Sequence, residues 1–555
     1  GVHGLMQLKR CWPDSVGADG RLPKAAVAPR ASTSRADEPP EGSTAQPVRW
    51  AQSAPMPIIP LCAVLLALPW LWPFTAGPMA TTLPYLVAAG VAAVLLVLWP
   101  RDAERGATVA ATGWLAAAVL SALIALLQYF DLEAPLFPWV NIAQPGQAFG
   151  NLRQPNQLAS LLVIGALALR WWVQAGRVPV GAALALGALL MAALAATASR
   201  VGLVALLACG ALVAWWALRA GRGQRAVLAV GGAVALYVLA ALALPQLAQW
   251  ADGVAGRDML ERLRTGESTC GSRLILWRNV LHLISLKPWT GWGWGELDYA
   301  HYITLYEGAR FCHILDNAHN LPLHLAVELG VPVALAAAAA LAWLVWRGRP
   351  WAEQHPTRQL AWGVLAVIGI HSLVEYPLWY GPFQMAAVVC AWLLWATRDG
   401  ARDAAPGLRA LRYPVAAAML AAVAYAGWDY HRISQIYLPL EQRAAMYRDD
   451  AMGHAQKSWL YADAVRFAEV TTRPAVRDNA AWMLPAALRT LHFSPEPRVA
   501  IKVIESATLL GRDDIALAHL ARFRAAFPKE HAQWVQDNAK VLQGAREQVQ
   551  GASAP

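Results

Sequence analysis

The sequence predicts an all-α polytopic membrane protein with about eleven transmembrane helices, one long outer loop and a C-terminal soluble helical domain. Composition and the distribution of arginine carry this prediction. Hydrophobic residues make up 57% of the 555 residues and charged residues 15%, against about 25% charged in soluble proteins. The mean hydropathy is +0.36. Lipid offers the backbone no hydrogen-bond partner, so each crossing requires roughly 20 mostly apolar residues in a helix.

Apolar stretches of suitable length give the candidate transmembrane segments 58–75, 83–99, 109–129, 157–173, 179–197, 201–218, 227–249, 321–346, 359–374, 382–397 and 413–428. Arginine fills every second gap: Arg101, Arg105, Arg170, Arg177, Arg219, Arg222, Arg225, Arg347, Arg349, Arg398, Arg402, Arg409 and Arg412. Cytoplasmic loops carry such an excess, so these gaps are expected to face the cytoplasm. The net charge of +10 therefore indicates topology and not nucleic-acid binding.

The two ends differ in composition from the apolar region, which we assign to residues 56–428 with its outer loop at 251–320. Residues 1–55 are rich in Pro, Ser, Ala and Arg, which is typical of a disordered tail or a mis-assigned start. Residues 429–555 show helical periodicity without membrane length. We expect a soluble α-helical domain with one or two tetratricopeptide-like pairs and a turn at residues 511–514. It serves either as a binding surface or as a packing cap.

Six cysteines fall into three groups. Cys62, Cys209 and Cys390 lie in apolar segments and are expected to be small core residues. Cys11 lies in the N-terminal tail. Cys270 and Cys312 share the long outer loop, which is in an oxidising compartment if the membrane is a bacterial inner membrane. A disulfide between them would stabilise the fold by about 4 kcal/mol in the chain-entropy model.

The outer segments hold the residues that are suited to chemistry. His319 lies at the end of the long loop, where a histidine can act as a general base near neutral pH. Arg200 and Arg273 lie on the outer side against the positive-inside rule, and such exceptions tend to be functional. Two guanidinium groups suit a diphosphate, although arginines at an interface can also extend to lipid headgroups. The outer loops contain no Asp-x-Asp and no carboxylate–histidine cluster in sequence, so we predict no metal site.

Four segments together resemble the bacterial O-antigen ligase and O-antigen polymerase superfamily, and more closely its O-oligosaccharyltransferases of the PglL type. They are residues 150–157 (GNLRQPNQ), 287–295 (KPWTGWGWG), 318–320 (AHN) and 371–380 (HSLVEYPLWY). The resemblance spans roughly residues 56–555. The first and last segments are characteristic of the protein-glycosylating branch. Lipopolysaccharide ligases usually lack them and a sizeable soluble tail.

The resemblance implies roles for particular residues. His319 matches the essential histidine of the family, which is expected to activate the acceptor hydroxyl, and Arg200 and Arg273 match arginines expected to hold the lipid diphosphate. Further active-site positions are implied at Asn151, Gln154, Gln157, Tyr376 and Tyr380. Gln154 and Tyr376 match polar positions of the protein-glycosylating branch, but Gln157 or Tyr380 could be the counterparts because each motif repeats its residue type.

The resemblance also implies a location and a reaction. We expect a multi-pass protein of the Gram-negative inner membrane, with its active site and C-terminal domain in the periplasm. The donor would be an undecaprenyl-diphosphate-linked glycan, the acceptor a Ser or Thr hydroxyl of a pilin-like exported protein, and no cofactor would be needed. A single displacement would invert the anomeric centre. The alternatives are a ligase that modifies lipid A-core, a polymerase that extends the glycan, and a transporter, for which mid-membrane charges are too scarce.

Overall fold

The computed structural model describes residues 58–221, 223–252, 270–398 and 410–552, and every regular element in these ranges is helical. The all-α fold class is therefore confirmed for this part of the chain. The N-terminal tail that we predicted at residues 1–55 lies outside the described residues, as do residues 253–269 between α7 and Cys270.

We label the longer helices in chain order. The first ten are α1 (Ile58–Leu71), α2 (Thr82–Leu98), α3 (Ala103–Tyr129), α4 (Pro155–Gln174), α5 (Val180–Ala196), α6 (Arg200–Arg219), α7 (Gly223–Asp252), α8 (Arg273–Leu286), α9 (Leu297–Ile303) and α10 (Leu321–Leu329). The others are α11 (Val331–Gly348), α12 (Pro356–Ser372), α13 (Gly381–Ala396), α14 (Arg412–Ser434), α15 (Ala451–Ala455), α16 (Ala462–Thr472), α17 (Arg477–Thr490), α18 (Pro497–Leu509), α19 (Asp513–Ala526) and α20 (Pro528–Ala552).

The apolar helices identify a membrane protein. Within the described ranges, five helices (α3, α4, α6, α7 and α11) are long and apolar enough to cross a bilayer, and α1, α2, α5 and α13 are shorter apolar helices. A helix lies at each of the eleven segments that the sequence predicted, but a count of eleven crossings stays a prediction. The largest buried core includes Trp70, Trp114 and Phe383 and joins α1, α3 and α13.

The segment predicted as one span over 321–346 is wrong in detail, because the helix breaks at Gly330. This residue has φ 89°, a conformation that side-chain-bearing residues rarely adopt. A Cβ at Gly330 would lie 2.3 Å from the carbonyl oxygen of Trp289, so the outer loop approaches the backbone too closely for a side chain. The amide of Val331 then donates to the carbonyl of Pro288 at 2.8 Å. The break therefore lets the outer loop pack into the helix.

The glycine–tryptophan segment 287–295 covers the C-terminal end of α10. The amide of Trp292 donates to the carbonyl of Val327 at 2.9 Å, and the amide of Gly293 donates to the carbonyl of Glu328 at 3.0 Å. A Cβ at Gly291 would lie 2.3 Å from that same Glu328 oxygen. The loop thus supplies hydrogen bonds to carbonyls that a helix end leaves without partners, and the glycines permit the close approach.

The C-terminal helices pack into a second core around Val499, Val503 and Phe523. Helices α18 and α19 form the helix–turn–helix that the sequence predicted, with Gly511 (φ 68°) in the turn. Its role as a soluble domain outside the membrane stays a prediction. Tyr302 of α9 is part of the same core, so these helices pack against the outer loop that leads to His319.

Contacts at α9 hold the C-terminal helices in place. The hydroxyl of Tyr302 contacts Nδ1 of His519 at 3.1 Å, and Nε of Arg522 donates to the carbonyl of Ile303 at 3.0 Å. Burial, with a smaller contribution from the charge of Arg522, lowers the pKa of His519 to about 4. The folded protein therefore favours neutral His519, whose ring can accept a hydrogen bond from Tyr302.

We expect acidification to weaken this contact. Because the pKa of His519 falls from 6.5 to about 4 on folding, its stabilising contribution is complete above pH 6.5 and is lost as the pH falls towards 4. Asp298 in α9 opposes this trend, since burial raises the pKa of its carboxyl to about 7. Thermal unfolding of the wild type and of His519→Gln at pH 7 and pH 5 separates the two groups. The wild type should lose more stability than the variant, and equal losses would contradict the assignment.

Candidate active site

A cavity of about 200 Å³ lies where α4, α10, α12 and α13 meet the outer segments. Five of its eight lining residues were predicted from the sequence, and the full set is Gln154, Gln157, His319, His371, Glu375, Tyr376, Pro377 and Tyr380. The two segments that suggested the protein-glycosylating branch, 150–157 and 371–380, thus contribute to the same cavity as the loop that contains His319.

His319 is fixed by its own backbone and by its neighbours. It has φ 48°, an unusual value for a residue with a side chain and one that recurs at functional sites. Its amide donates to Oδ1 of Asn317 at 2.8 Å. The next residue, Asn320, caps the start of α10, and its Nδ2 donates to the carbonyl of Leu373 at 2.9 Å. The histidine is therefore held between the outer loop and the segment that follows α12.

Glu375 joins His319 to Arg273. Its Oε2 lies 2.7 Å from Nδ1 of His319, and its Oε1 lies 2.5 Å from Nη2 of Arg273. Burial acts to raise the pKa of Glu375, but the hydrogen bond with His319 and the charges of His319 and Arg273 outweigh burial and lower that pKa. The ionised carboxylate only accepts hydrogen bonds, so His319 donates from Nδ1. In the neutral ring, Nε2 is then the nitrogen that can accept a proton.

This pair corrects one conclusion from the sequence. We found no carboxylate–histidine cluster because His319 and Glu375 are 56 positions apart, and the fold brings them together. Glu375 lies inside the 371–380 motif, but only Tyr376 and Tyr380 of that motif were predicted to be active-site residues. The available signal was that Glu375 is the one acidic residue of the segment 371–380. A second missed residue is His371, which is buried and whose Nδ1 contacts Oγ of Ser160 at 2.9 Å.

Two tyrosines line the cavity beside His319. The rings of His319 and Tyr376 pack edge to face, with centroids 4.9 Å apart, and the ring of Tyr376 stacks on that of Tyr380 with centroids 5.8 Å apart. Burial raises the pKa of both phenols, and hydrogen bonds with Tyr376 and Gln157 oppose this rise at Tyr380 without reversing it. Both tyrosines are therefore neutral hydroxyl groups that can donate and accept hydrogen bonds.

The two glutamines are placed by the start of α4. Gln154 is the N-cap residue, and its Oε1 accepts from the amide of Gln157 at 2.7 Å. Gln157 is buried. Both line the cavity, so the structure does not favour one of them over the other as the counterpart of the family's position.

Arg200 and Arg273 occupy equivalent positions as the first residues of α6 and α8, and each follows an N-cap serine. Ser199, which caps α6, also donates from Oγ to Oδ1 of Asn156 at 2.6 Å, and Asn156 is 3.5 Å from Glu375. Arg200 is exposed and does not line the cavity. Helix starts favour anions because their backbone amides point outwards, so both arginines are at positions suited to a phosphate group.

Asn151 is not brought into the cavity. It is 6% exposed, and its Nδ2 donates to the carbonyls of Leu71 at 2.8 Å and Trp139 at 2.9 Å, while its Oδ1 accepts from the amide of Asn141 at 3.1 Å. These bonds use both ends of the amide to anchor the loop before α4. In the structure Asn151 supports the loop that leads to Gln154, and a direct role for it in the active site stays a prediction.

Cys270 and Cys312 are joined by a disulfide, with Cα atoms 5.4 Å apart. The bond connects the residues just before Arg273 to the loop that ends at His319. Among the described residues, no group of three or more His, Cys, Asp or Glu side chains is placed to hold a metal ion. That the protein needs no metal or other cofactor stays a prediction.

Parts of the chain match three family models. The description "Protein glycosylation ligase" belongs to the model that matches residues 148–173, "O-Antigen ligase" to residues 184–338, and "Virulence factor membrane-bound polymerase, C-terminal" to residues 359–542. A general O-oligosaccharyltransferase of Acinetobacter baylyi is 25% identical over 292 residues. The resemblance to bacterial O-oligosaccharyltransferases of the PglL type is confirmed.

The match to the O-oligosaccharyltransferase covers 51% of this chain and 50% of the relative, so the chain spans about half the length of that curated relative. No solved structure matches the chain. The matched segments nevertheless include the site: 148–173 contains both glutamines, 184–338 contains both arginines and His319, and 359–542 contains Glu375 with both tyrosines.

Proposed function

We propose that this protein is an O-oligosaccharyltransferase. It transfers a preassembled oligosaccharide en bloc from undecaprenyl diphosphate to Ser or Thr hydroxyls of exported, pilin-like proteins at the outer face of the inner membrane. The observation that carries the proposal is the His319–Glu375 pair, which faces a cavity lined by the paired glutamines and tyrosines and lies beside Arg273.

The first chemical task is to activate the acceptor. His319 takes the proton of the hydroxyl on Nε2 while Glu375 holds the ring through Nδ1 and stabilises the imidazolium that forms. The hydroxyl oxygen forms a bond to the anomeric carbon as the bond between that carbon and the diphosphate oxygen breaks. Glu375 acts as a positioning residue and does not itself take the proton. One displacement inverts the anomeric centre, which NMR of the product linkage would test.

The second task is to stabilise the leaving diphosphate. Negative charge grows on the diphosphate as the glycosidic bond breaks, and guanidinium groups fixed in advance stabilise this charge without reorganisation. Arg200 and Arg273 fit this role because each adds a permanent charge to a helix start. Gln154, Gln157, Tyr376 and Tyr380 offer neutral donors and acceptors for hydroxyl groups of the glycan and the acceptor.

The reaction requires a location where the lipid-linked glycan and an exported acceptor meet. The arginine pattern supports a periplasmic location for the outer loop and α15–α20. The disulfide is consistent with this oxidising compartment. Membrane lipid surrounds the apolar helices, and we propose no nucleic-acid partner and no cofactor besides the two substrates.

Transfer in cells tests the proposal. The cells lack their own O-antigen ligase and O-glycosylating enzyme, make a lipid-linked glycan, and express a pilin-type protein together with the wild-type chain or with His319→Ala. We expect a mass shift on the pilin that disappears in His319→Ala, because the variant lacks the imidazole that we propose takes the hydroxyl proton. The matched control is His313→Ala, since His313 is exposed in the same loop. It should retain the shift.

Other outcomes favour the alternatives. Glycan that appears on lipopolysaccharide and not on the pilin would make the protein a ligase. A longer lipid-linked glycan with no transfer to either acceptor would make it a polymerase. Transfer that survives in His319→Ala would contradict the role of the histidine but not the class of enzyme.

A further inference from the structure

An exposed pair of tryptophans lies next to the candidate active site and has no role in the mechanism above. Trp294 and Trp379 lie nearly parallel, with an angle of 12° between the rings and centroids 6.1 Å apart. They are 62% and 36% exposed. Trp294 comes from the glycine–tryptophan segment 287–295, and Trp379 comes from the segment 371–380. We call this pair the tryptophan platform.

A buried polar pair fixes the platform from below. The ring of His324 makes T-shaped contacts with both indoles. Its centroid lies 5.0 Å from that of Trp379 and 6.0 Å from that of Trp294. His324 is 2% exposed, and its Nε2 lies 3.4 Å from Oε2 of Glu328. The backbone oxygen of Glu328 also accepts a hydrogen bond from the amide of Gly293. The two indoles come from two chain segments and both pack on His324 of α10, unlike isolated tryptophans at a membrane interface.

The platform continues the aromatic wall of the cavity. Trp379 contacts Tyr376 with centroids 6.4 Å apart, and Tyr376 contacts His319 at 4.9 Å. The platform therefore begins two ring contacts away from the proposed general base. On the cavity side, the neighbouring groups are the amides of Gln154 and Gln157 and the hydroxyl of Tyr380.

We propose that the tryptophan platform binds a pyranose ring of the donor glycan beyond the sugar whose anomeric carbon reacts. A pyranose has one face of C–H groups that can pack on an indole, and a rim of hydroxyl groups that requires hydrogen-bond partners. Flat aromatic surface beside a few fixed polar groups is the combination that such a ligand needs. An acyl or polyprenyl chain has no hydroxyl groups that could form hydrogen bonds with the glutamine amides and the tyrosine hydroxyl. The inference rests on the proposed function and adds a sugar-binding subsite to it.

Binding can be measured without catalysis. The probe is the oligosaccharide released from the donor lipid by mild acid, added to the full chain in detergent micelles and observed by saturation-transfer difference NMR. We expect saturation on ring C–H protons of a non-reducing sugar. The signal should be lost in Trp294→Ala and Trp379→Ala, retained in Trp379→Phe, and unchanged in Trp289→Ala, which removes a 78% exposed tryptophan of the same loop outside the platform.

His319→Ala separates this inference from the proposed function. It should keep the NMR signal even though it abolishes transfer, so a protein that fails to glycosylate can still show the subsite. Equal NMR signals from the wild type and from both alanine variants would overturn the subsite. Loss of the signal in Trp289→Ala as well would also overturn it, because a general effect of interfacial tryptophans would then explain the result.

Donor length provides a second measurement. With the oligosaccharide-bearing donor, Trp379→Ala should raise KM by about tenfold, which is the size expected for one lost aromatic contact. With a donor that carries a single sugar, the same variant should match the wild type, because that donor does not reach the platform. An equal rise in KM for both donors would show that the tryptophans anchor the protein or the lipid, and would overturn the sugar subsite.

Discussion

Replacement of Glu375 by glutamine is expected to lower the rate of glycan transfer by about 10²–10⁴-fold while the protein still folds and binds the donor. Glu375 contacts His319 at 2.7 Å and Arg273 at 2.5 Å, so one carboxylate fixes both groups. A glutamine amide has nearly the same shape, but it carries no charge and can present N–H to the ring. His319 would then lose its preferred tautomer and the stabilisation of its protonated form.

The readout is kcat and KM for the lipid-linked donor with a peptide acceptor. We expect kcat to fall and KM to change little, since removal of a negative charge does not repel a diphosphate. Glu375→Asp keeps the charge and should retain more activity than Glu375→Gln. The matched control is Glu353→Gln. Glu353 and Arg358 form a similarly buried pair, with Oε2 and Nε 2.6 Å apart, and neither residue lines the cavity. A Glu375→Gln rate within a factor of about three of the wild type would contradict the role.

The positions of the helices could be predicted from the sequence, whereas the contacts between their ends could not. The length of the apolar stretches predicted a helix at each segment, because a membrane crossing requires about 20 mostly apolar residues. It missed the break at Gly330, which is caused by the carbonyl of Trp289, a residue 41 positions away from it. The proximity of two backbones leaves no periodic signal, although the glycine itself was visible.

The candidate site shows the same division. His319, Gln154, Gln157, Tyr376 and Tyr380 could be identified because they belong to short motifs, and all five line the cavity. The partner of His319 could not be identified, because nothing in the sequence states which loop meets which. Asn151 belongs to a motif as well, but its amide turns inward to backbone carbonyls. A motif thus indicates where the site is without distinguishing the residues that line it from those that support it.

We expect Arg200→Ala to lower kcat by about 10²–10³-fold, which is the size of effect seen when one fixed donor to a developing charge is removed. The kcat of Arg200→Lys should lie between those of Arg200→Ala and the wild type, because lysine keeps the charge but not the planar pair of donors. The control is Arg219→Ala at the other end of α6, about 30 Å away for a helix of this length. Arg219 should be dispensable, and equal losses in both alanine variants would contradict a diphosphate site at the start of α6.

Arg273→Ala is expected to lower kcat more than Arg200→Ala does and, unlike Arg200→Ala, to change the pH–rate profile. The charge of Arg273 helps to lower the pKa of Glu375, so its removal raises that pKa. Since Glu375 must be ionised to hold His319, the acidic limb of the pH–rate profile should move to higher pH in Arg273→Ala and stay in place in Arg200→Ala. If both arginines bind one diphosphate, the double variant should lose less than the product of the single losses. Strictly multiplicative losses, or a shift of the acidic limb in both single variants, would mean that the two arginines do not divide their roles in this way.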